Sequence, residues 1–263
     1  MKRLLITLFM LFTLSFTPSF ADIDQIKLSA EQGDADAQLE LGIAYYLGEA
    51  VRQDYAEAVK WFKLAAEQGK ALAQFQLGAA YDTGRGAPQD YIKAVKWYRL
   101  SAEQGNEWAQ FFLGSAYYDG NGVRQNYAEA VKWFSLAAEQ GNVLAQFQPG
   151  LAYALGHGIR QDYAEAVKWY SLAAEQGSAK AQLNLGFAYY NGSGVRQDYH
   201  EAVKWFKLSA AQGNVEAQFN LGIAYSLGVG VRQDYIEAKE WFGKACDNGL
   251  QDGCDEYRKL NNR

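Results

Sequence analysis

Only two of the 263 residues are histidine and two are cysteine. Chemistry by metal or nucleophile therefore has few places to occur. His157 and His200 carry imidazoles that could move protons near neutral pH. Neither has a second histidine at metal spacing, and both read as solvated surface residues. Cys246 and Cys254 lie eight positions apart with no further thiol or imidazole nearby, too few donors for a structural zinc. Glycine pairs such as Gly120-Asn121-Gly122 lack the Gly-Lys-Ser/Thr ending of a phosphate loop. No Gly-x-Ser-x-Gly and no Ser-x-x-Lys is present, so serine acyl-enzyme chemistry finds no local signature. Carboxylates are abundant but recur as helix caps or lysine partners, as in Glu57 with Lys60. The chain is expected to hold no catalytic residue, no metal and no cofactor.

What would position any such group is a repeat. Gly33, Gly69, Gly105, Gly141, Gly177, Gly213 and Gly249 are each 36 residues apart. Trp61, Trp97, Trp133, Trp169, Trp205 and Trp241 keep that spacing, as do Tyr55 and its equivalents. A fixed period of this length marks a stack of similar units, none able to bury its apolar face alone. Six units are expected at 34–69, 70–105, 106–141, 142–177, 178–213 and 214–249, flanked by a half-repeat at 22–33 and a polar capping helix at 250–263.

Each unit reads as two helices. In the first unit, helix A spans about Ala35 to Leu47 and helix B about Tyr55 to Gln68. Asp54 with Glu57 has capping-box spacing, whereas Asp90 with Lys93 breaks it and predicts a weaker helix start. Tyr55, Ala58, Val59, Phe62, Ala65 and Ala66 form the helical i, i+3, i+4, i+7 stripe. Trp61 and Leu64 lie off it, implying neighbours on both sides of helix B. Gly42 recurs in mid-helix in every unit, at about 1 kcal/mol against alanine, which implies a close helix approach. Pro149 interrupts helix A of the fourth unit and is expected to kink it, at about 3 kcal/mol. The expected fold is all-α: an α/α solenoid, a right-handed superhelix of stacked helix–turn–helix repeats with a 36-residue period.

The pattern Ala-Gln-x-x-Leu-Gly-x-x-Tyr, Gly-x-Gly-Val, Ala-x-x-Trp-Phe resembles the Sel-1-like repeat (SLR) family, relatives of tetratricopeptide repeats. Ala181 to Tyr189, Gly192 to Val195 and Ala202 to Phe206 show it in the fifth unit. The resemblance implies a scaffold, without naming a ligand. Cys246 and Cys254, across the turn at Gly249, look like the cysteine pairing of a secreted, cysteine-rich SLR subgroup, which implies a disulfide stapling adjacent helices. Some relatives in that subgroup are associated with penicillin binding or weak β-lactam hydrolysis.

The N-terminus reads as a separate object. Lys2 and Arg3 precede an apolar run from Leu4 to Phe16, and Ser19-Phe20-Ala21 supplies small residues for cleavage after Ala21. This predicts a signal peptide over 1–21 and a periplasmic or secreted protein. Removing it leaves 23 basic against 30 acidic residues, a net charge of −7. Neither nucleic acid nor anionic lipid attracts such a chain. No membrane span is expected after cleavage, and the mature chain is expected to be monomeric.

Six units permit an internal comparison. Ala37, Gln38, Leu41, Gly42, Ala44 and Tyr45 stay nearly constant from unit to unit. Asp36, Glu40, Ile43 and Leu47 change most, and their spacing makes one helical stripe. In a tetratricopeptide-like superhelix helix A lines the concave surface, so this stripe is the candidate ligand face. The third unit places Trp108, Phe112, Ser115 and Asp119 there, the fourth Gln148 and Leu151, the fifth Asn184 and Phe187. Aromatic anchors beside polar groups suit a protein partner. The expected function is an exported, non-enzymatic scaffold holding a protein or peptide on this face. Two alternatives stand beside it: an envelope protein binding peptidoglycan-like or β-lactam ligands with weak β-lactamase activity, and a secreted host-interaction factor.

Overall fold

The computed structural model describes residues 20–262, and the expected leader lies almost wholly outside them. Among the described residues there are fourteen helices and no strand. The chain divides into two compact units, 1–140 and 141–263.

The first unit holds α1 (Phe20–Glu31), α2 (Ala35–Leu47), α3 (Tyr55–Glu67), α4 (Ala71–Thr83), α5 (Tyr91–Glu103), α6 (Glu107–Asp119) and α7 (Tyr127–Glu139). The second holds α8 (Val143–Leu155), α9 (Tyr163–Glu175), α10 (Ala179–Asn191), α11 (Tyr199–Ala211), α12 (Val215–Leu227), α13 (Tyr235–Asp247) and α14 (Gln251–Asn261). Within each unit successive helices pack on one another, so each is an all-α repeat solenoid of stacked helix hairpins.

The glycine in mid-helix A explains how tightly each hairpin closes. A Cβ built on Gly42 would lie 2.6 Å from the Phe62 ring, and one on Gly78 2.7 Å from Tyr98. Gly150 stands in the same relation to Tyr170, and Gly186 to Phe206. The close approach inferred from the sequence is the seat of the helix B ring, and alanine would collide with it.

A glutamine ladder ties the hairpins together. Gln38 Nε2 donates to the Ala30 carbonyl, and Gln68 Nε2 donates to Gln38 Oε1 at 2.8 Å. Gln74 with Gln104 repeats the pair, as does Gln182 with Gln212. At the C-terminal end Asn248 replaces the second glutamine and donates to Gln218 Oε1. The helix A members Gln38, Gln74, Gln182 and Gln218 are buried, and the ladder satisfies side-chain groups that would otherwise cost about 1–3 kcal/mol each. The invariance of Gln38 and its equivalents is therefore structural.

Two expectations need correction. The Asp54 carboxylate does accept from the Ala56 and Glu57 amides, but no return half of the capping box forms. The Asp54 amide donates instead to the Tyr45 carbonyl of α2, and Glu57 pairs with Lys60. Asp90 accepts from the Lys93 amide and pairs with the Lys93 ammonium, and the amide bond first, then the ammonium, hold its carboxyl below the usual range. Second, helix B is not covered on both sides. Trp133 is buried and the other five repeat tryptophans are half-buried, but Leu64, Leu100, Leu136, Leu172 and Leu208 all remain exposed. Pro149 leaves the length of its helix unchanged. α8 keeps the same 13 residues as its equivalents, with Pro149 fully buried.

The Gly-x-Gly loops serve packing. Gly122 has φ +73, and a Cβ there would lie 2.2 Å from the Tyr91 carbonyl oxygen of the preceding helix B. The first repeat has Ala50 at this position, the single non-glycine residue with positive φ among the described residues.

Cys246 and Cys254 form a disulfide joining α13 to α14, with Cα atoms 4.5 Å apart. Closing so short a loop contributes about 2–3 kcal/mol by the chain-entropy argument.

Candidate functional site

The variable stripe of helix A is not one continuous surface. On α2 its central positions are open, with Glu40 exposed and Ile43 half-buried, but on the next two A helices they are closed. Gln76 and Ala79 of α4, and Phe112 and Ser115 of α6, are all enclosed. The Phe112 ring stacks on Tyr98 at 5.5 Å and touches Phe75 at 5.9 Å and Phe111 at 5.3 Å. Ser115 Oγ donates back to the Phe111 carbonyl. Phe112 and Ser115 thus leave the candidate surface, because a ligand could reach neither without opening the core. Trp108 remains half-buried at the edge, and Asp119 is exposed. Burial pushes the Glu107 carboxyl up, partly offset by its hydrogen bond with the Trp108 side chain.

In the second unit the stripe is open. Gln148 and Leu151 on α8 are half-buried, and Leu155 is 52% exposed. On α10, Lys180 and Asn191 are exposed, while Asn184 and Phe187 are half-buried. The Phe187 ring stands edge-on to Phe206 at 5.2 Å.

The structure adds a feature that single-helix periodicity cannot reveal. A cavity of about 270 Å³ lies between α9 and α10, with Tyr163 and Tyr170 from one helix and Asn184, Phe187 and Asn191 from the other. Ser193 in the following loop and Ala154 at the end of α8 complete its wall. Tyr170 is only 5% exposed, and burial pushes its hydroxyl up to about 12. The first unit has a cavity at the register 72 residues earlier, but of only about 10 Å³. There Asp82 replaces Ala154 and Phe112 replaces Asn184. The Tyr98 hydroxyl donates to Asp82 Oδ2 at 3.3 Å.

A broader depression of about 510 Å³ lies along α11, where His200, Lys204 and Lys207 border Val203, Leu208 and Val231. His200 is exposed there, as the sequence implied, and His157 sits half-buried in the α8–α9 loop. Among the described residues no cluster of His, Cys, Asp or Glu could hold a metal, and no helix is long and apolar enough to cross a membrane.

Comparison with known proteins fits this architecture. A solved protective antigen of uropathogenic Escherichia coli with an SLR fold superposes with a TM-score of 0.84 at 42% identity, over 89% of this chain and 50% of that one. A Sel1 repeat protein from Oxalobacter formigenes matches with a TM-score of 0.69 at 38% identity, over 81% of this chain and 86% of that one. The secretory immunoglobulin A-binding protein EsiB of Escherichia coli O6:H1 (strain CFT073) is 42% identical over 66 residues, which are 24% of this chain. This chain spans 14% of the length of EsiB and half that of the antigen. The Sel1 repeat pattern matches residues 35–70, 71–106, 109–142, 143–178, 179–214 and 215–250. With that pattern covering most of its length, the chain belongs to the Sel1 repeat family.

Proposed function

We propose that this protein is an exported, non-enzymatic scaffold that binds a protein partner along the helix A stripe of its second unit. The observation that carries the reading is the open stripe on α8 and α10, where Leu151, Leu155 and Phe187 reach solvent between polar neighbours. Constant helix A positions such as Gln146 and Gln182 are buried, so variation and exposure coincide here. Apolar residues held on a rigid helical face are what a protein hot spot requires. The immunoglobulin-binding relative supports an extracellular protein as partner. The disulfide and the leader-like N-terminus support export.

The test uses immobilised secretory immunoglobulin A and the mature chain. Binding is expected, with Leu151→Ala plus Leu155→Ala weakening it about tenfold or more while helicity is unchanged. Absence of binding by the unaltered chain would remove immunoglobulin as the partner. Equal binding by the double variant would remove the stripe. A chromogenic β-lactam should not be turned over by the same preparation.

A further inference from the structure

The cavity between α9 and α10 contains a group that the repeat does not need. Four of the six units place phenylalanine at the buried helix B position: Phe62, Phe134, Phe206 and Phe242. Two place tyrosine there, Tyr98 and Tyr170. Tyr98 has Asp82 as its acceptor. Tyr170 has Ala154 in that place, and no hydrogen bond reaches its hydroxyl among the described residues. Its hydroxyl faces the cavity, where that of Tyr98 meets a carboxylate.

The rest of the wall has a definite chemistry. Asn184, Phe187 and Asn191 lie at i, i+3 and i+7 on α10, so two carboxamides flank one aromatic face. Tyr163 and Tyr170 lie at i and i+7 on α9 and present two phenol rings opposite. The Tyr163 hydroxyl is held by Gln161 Nε2, which leaves its own proton free to donate. Ser193 adds a hydroxyl. No Asp, Glu, Lys, Arg or His lines the cavity, so nothing there would offset the desolvation of a charged ligand. Carboxamides and hydroxyls both donate and accept, and suit a ligand that does the same around its rim. Aromatic faces on two sides suit the C–H faces of a saturated ring.

From this arrangement we infer that the α9–α10 cavity is a binding site for a single uncharged pyranose ring, with the Tyr170 hydroxyl as its floor contact and Asn184 and Asn191 as its rim contacts. The site does not rest on the protein-binding reading, and each can fail without the other. Free sugars and sugars at the end of a glycan share this chemistry.

The test is built from residues the molecule itself uses at the equivalent place. Ala154→Asp with Asn184→Phe rebuilds the closed arrangement of Asp82 and Phe112 around Tyr170. Tyr170→Phe installs the residue of the four other units. The full mature chain is probed by saturation-transfer NMR with methyl glucoside, methyl galactoside and N-acetylglucosamine, and by capture of albumin carrying the same sugars. Transfer to at least one free ring, or capture of at least one conjugate, is expected. Capture of a conjugate without transfer to the free ring assigns the site to glycans. The closed double variant should abolish the signal, and Tyr170→Phe should weaken it about fivefold. Thermal melts confirm that both variants fold. No signal from any sugar in the unaltered chain would overturn the site, as would an undiminished signal in the closed variant. Transfer to N-acetylasparagine amide but to no sugar would overturn the ring assignment.

Discussion

Tyr98 and Tyr170 occupy the same register in two different repeats, yet one ends in a sealed core and the other in a chamber. Their backbones are built alike. Gly78 seats the Tyr98 ring and Gly150 seats that of Tyr170, each with 2.7 Å to a built Cβ. The difference comes from two neighbours. Asp82 and Phe112 close the first site, and Ala154 and Asn184 leave the second open. A repeat protein can therefore turn a packing position into a binding position by shrinking two side chains, with the frame unchanged.

The largest expected contrast lies at the plug itself. Phe112→Ala should cost about 3–5 kcal/mol, because it vacates a ring packed against Tyr98 and Phe75. Asn184→Ala should fall within about 0.5 kcal/mol of the parent, since its side chain faces open space. Urea unfolding of each variant measures both. Equal costs would mean that the second site is as tightly packed as the first.

The glycines give an intermediate contrast. Gly78→Ala pushes Tyr98 into a filled core and should cost about 2–3 kcal/mol. Gly150→Ala pushes Tyr170 toward vacant volume and should cost about 1 kcal/mol. A reversed order in thermal melts would break the comparison.

The smallest contrast concerns the hydroxyls. Tyr98→Phe removes a hydrogen bond and should destabilise by about 1 kcal/mol, whereas Tyr170→Phe should be neutral or stabilising by up to about that amount. Alkaline titration sharpens this pair. Burial raises both phenols, Tyr98 well above its ordinary value of 10.0, with the Asp82 charge adding to the effect, and Tyr170 to about 12. A folded-state pKa above the unfolded one contributes stability that is complete below pH 10 and is lost as pH rises through the folded value. For Tyr170 that window is pH 10 to 12, and Tyr170→Phe should remove its share of the alkaline loss.

Much of this architecture was legible in the sequence. The period located every hairpin, and the mid-helix glycine announced a close contact whose partner proved to be the helix B ring. The variable stripe was read correctly as a set but not as a surface. Variation between repeats has two sources, contact with a ligand and mutual adjustment of packing, and one helix examined alone cannot separate them. Phe112 varies because Asp82 is smaller than the Tyr46 and Tyr190 of other repeats, so a larger ring fills the space. Reading such positions in pairs would have separated the cases. Tyr46 goes with Gln76 and Tyr190 with Asn220, and Asp82 goes with the large Phe112. Ala154 with Asn184 is small on both sides, which is the mark of the chamber. The capping box failed for a related reason. Local spacing predicted its first half, but the Asp54 amide was already claimed by Tyr45 of the partner helix.

The covalent bond at the C-terminal edge has a further consequence for how the molecule comes apart. A stack with free ends unravels from them, since the terminal hairpin has a neighbour on one side only. The crosslink between α13 and α14, next to the rung closed by Asn248, ties that edge shut. Under mechanical tension in an oxidising medium the last helix should stay with its neighbour, and added reductant should let it peel away first.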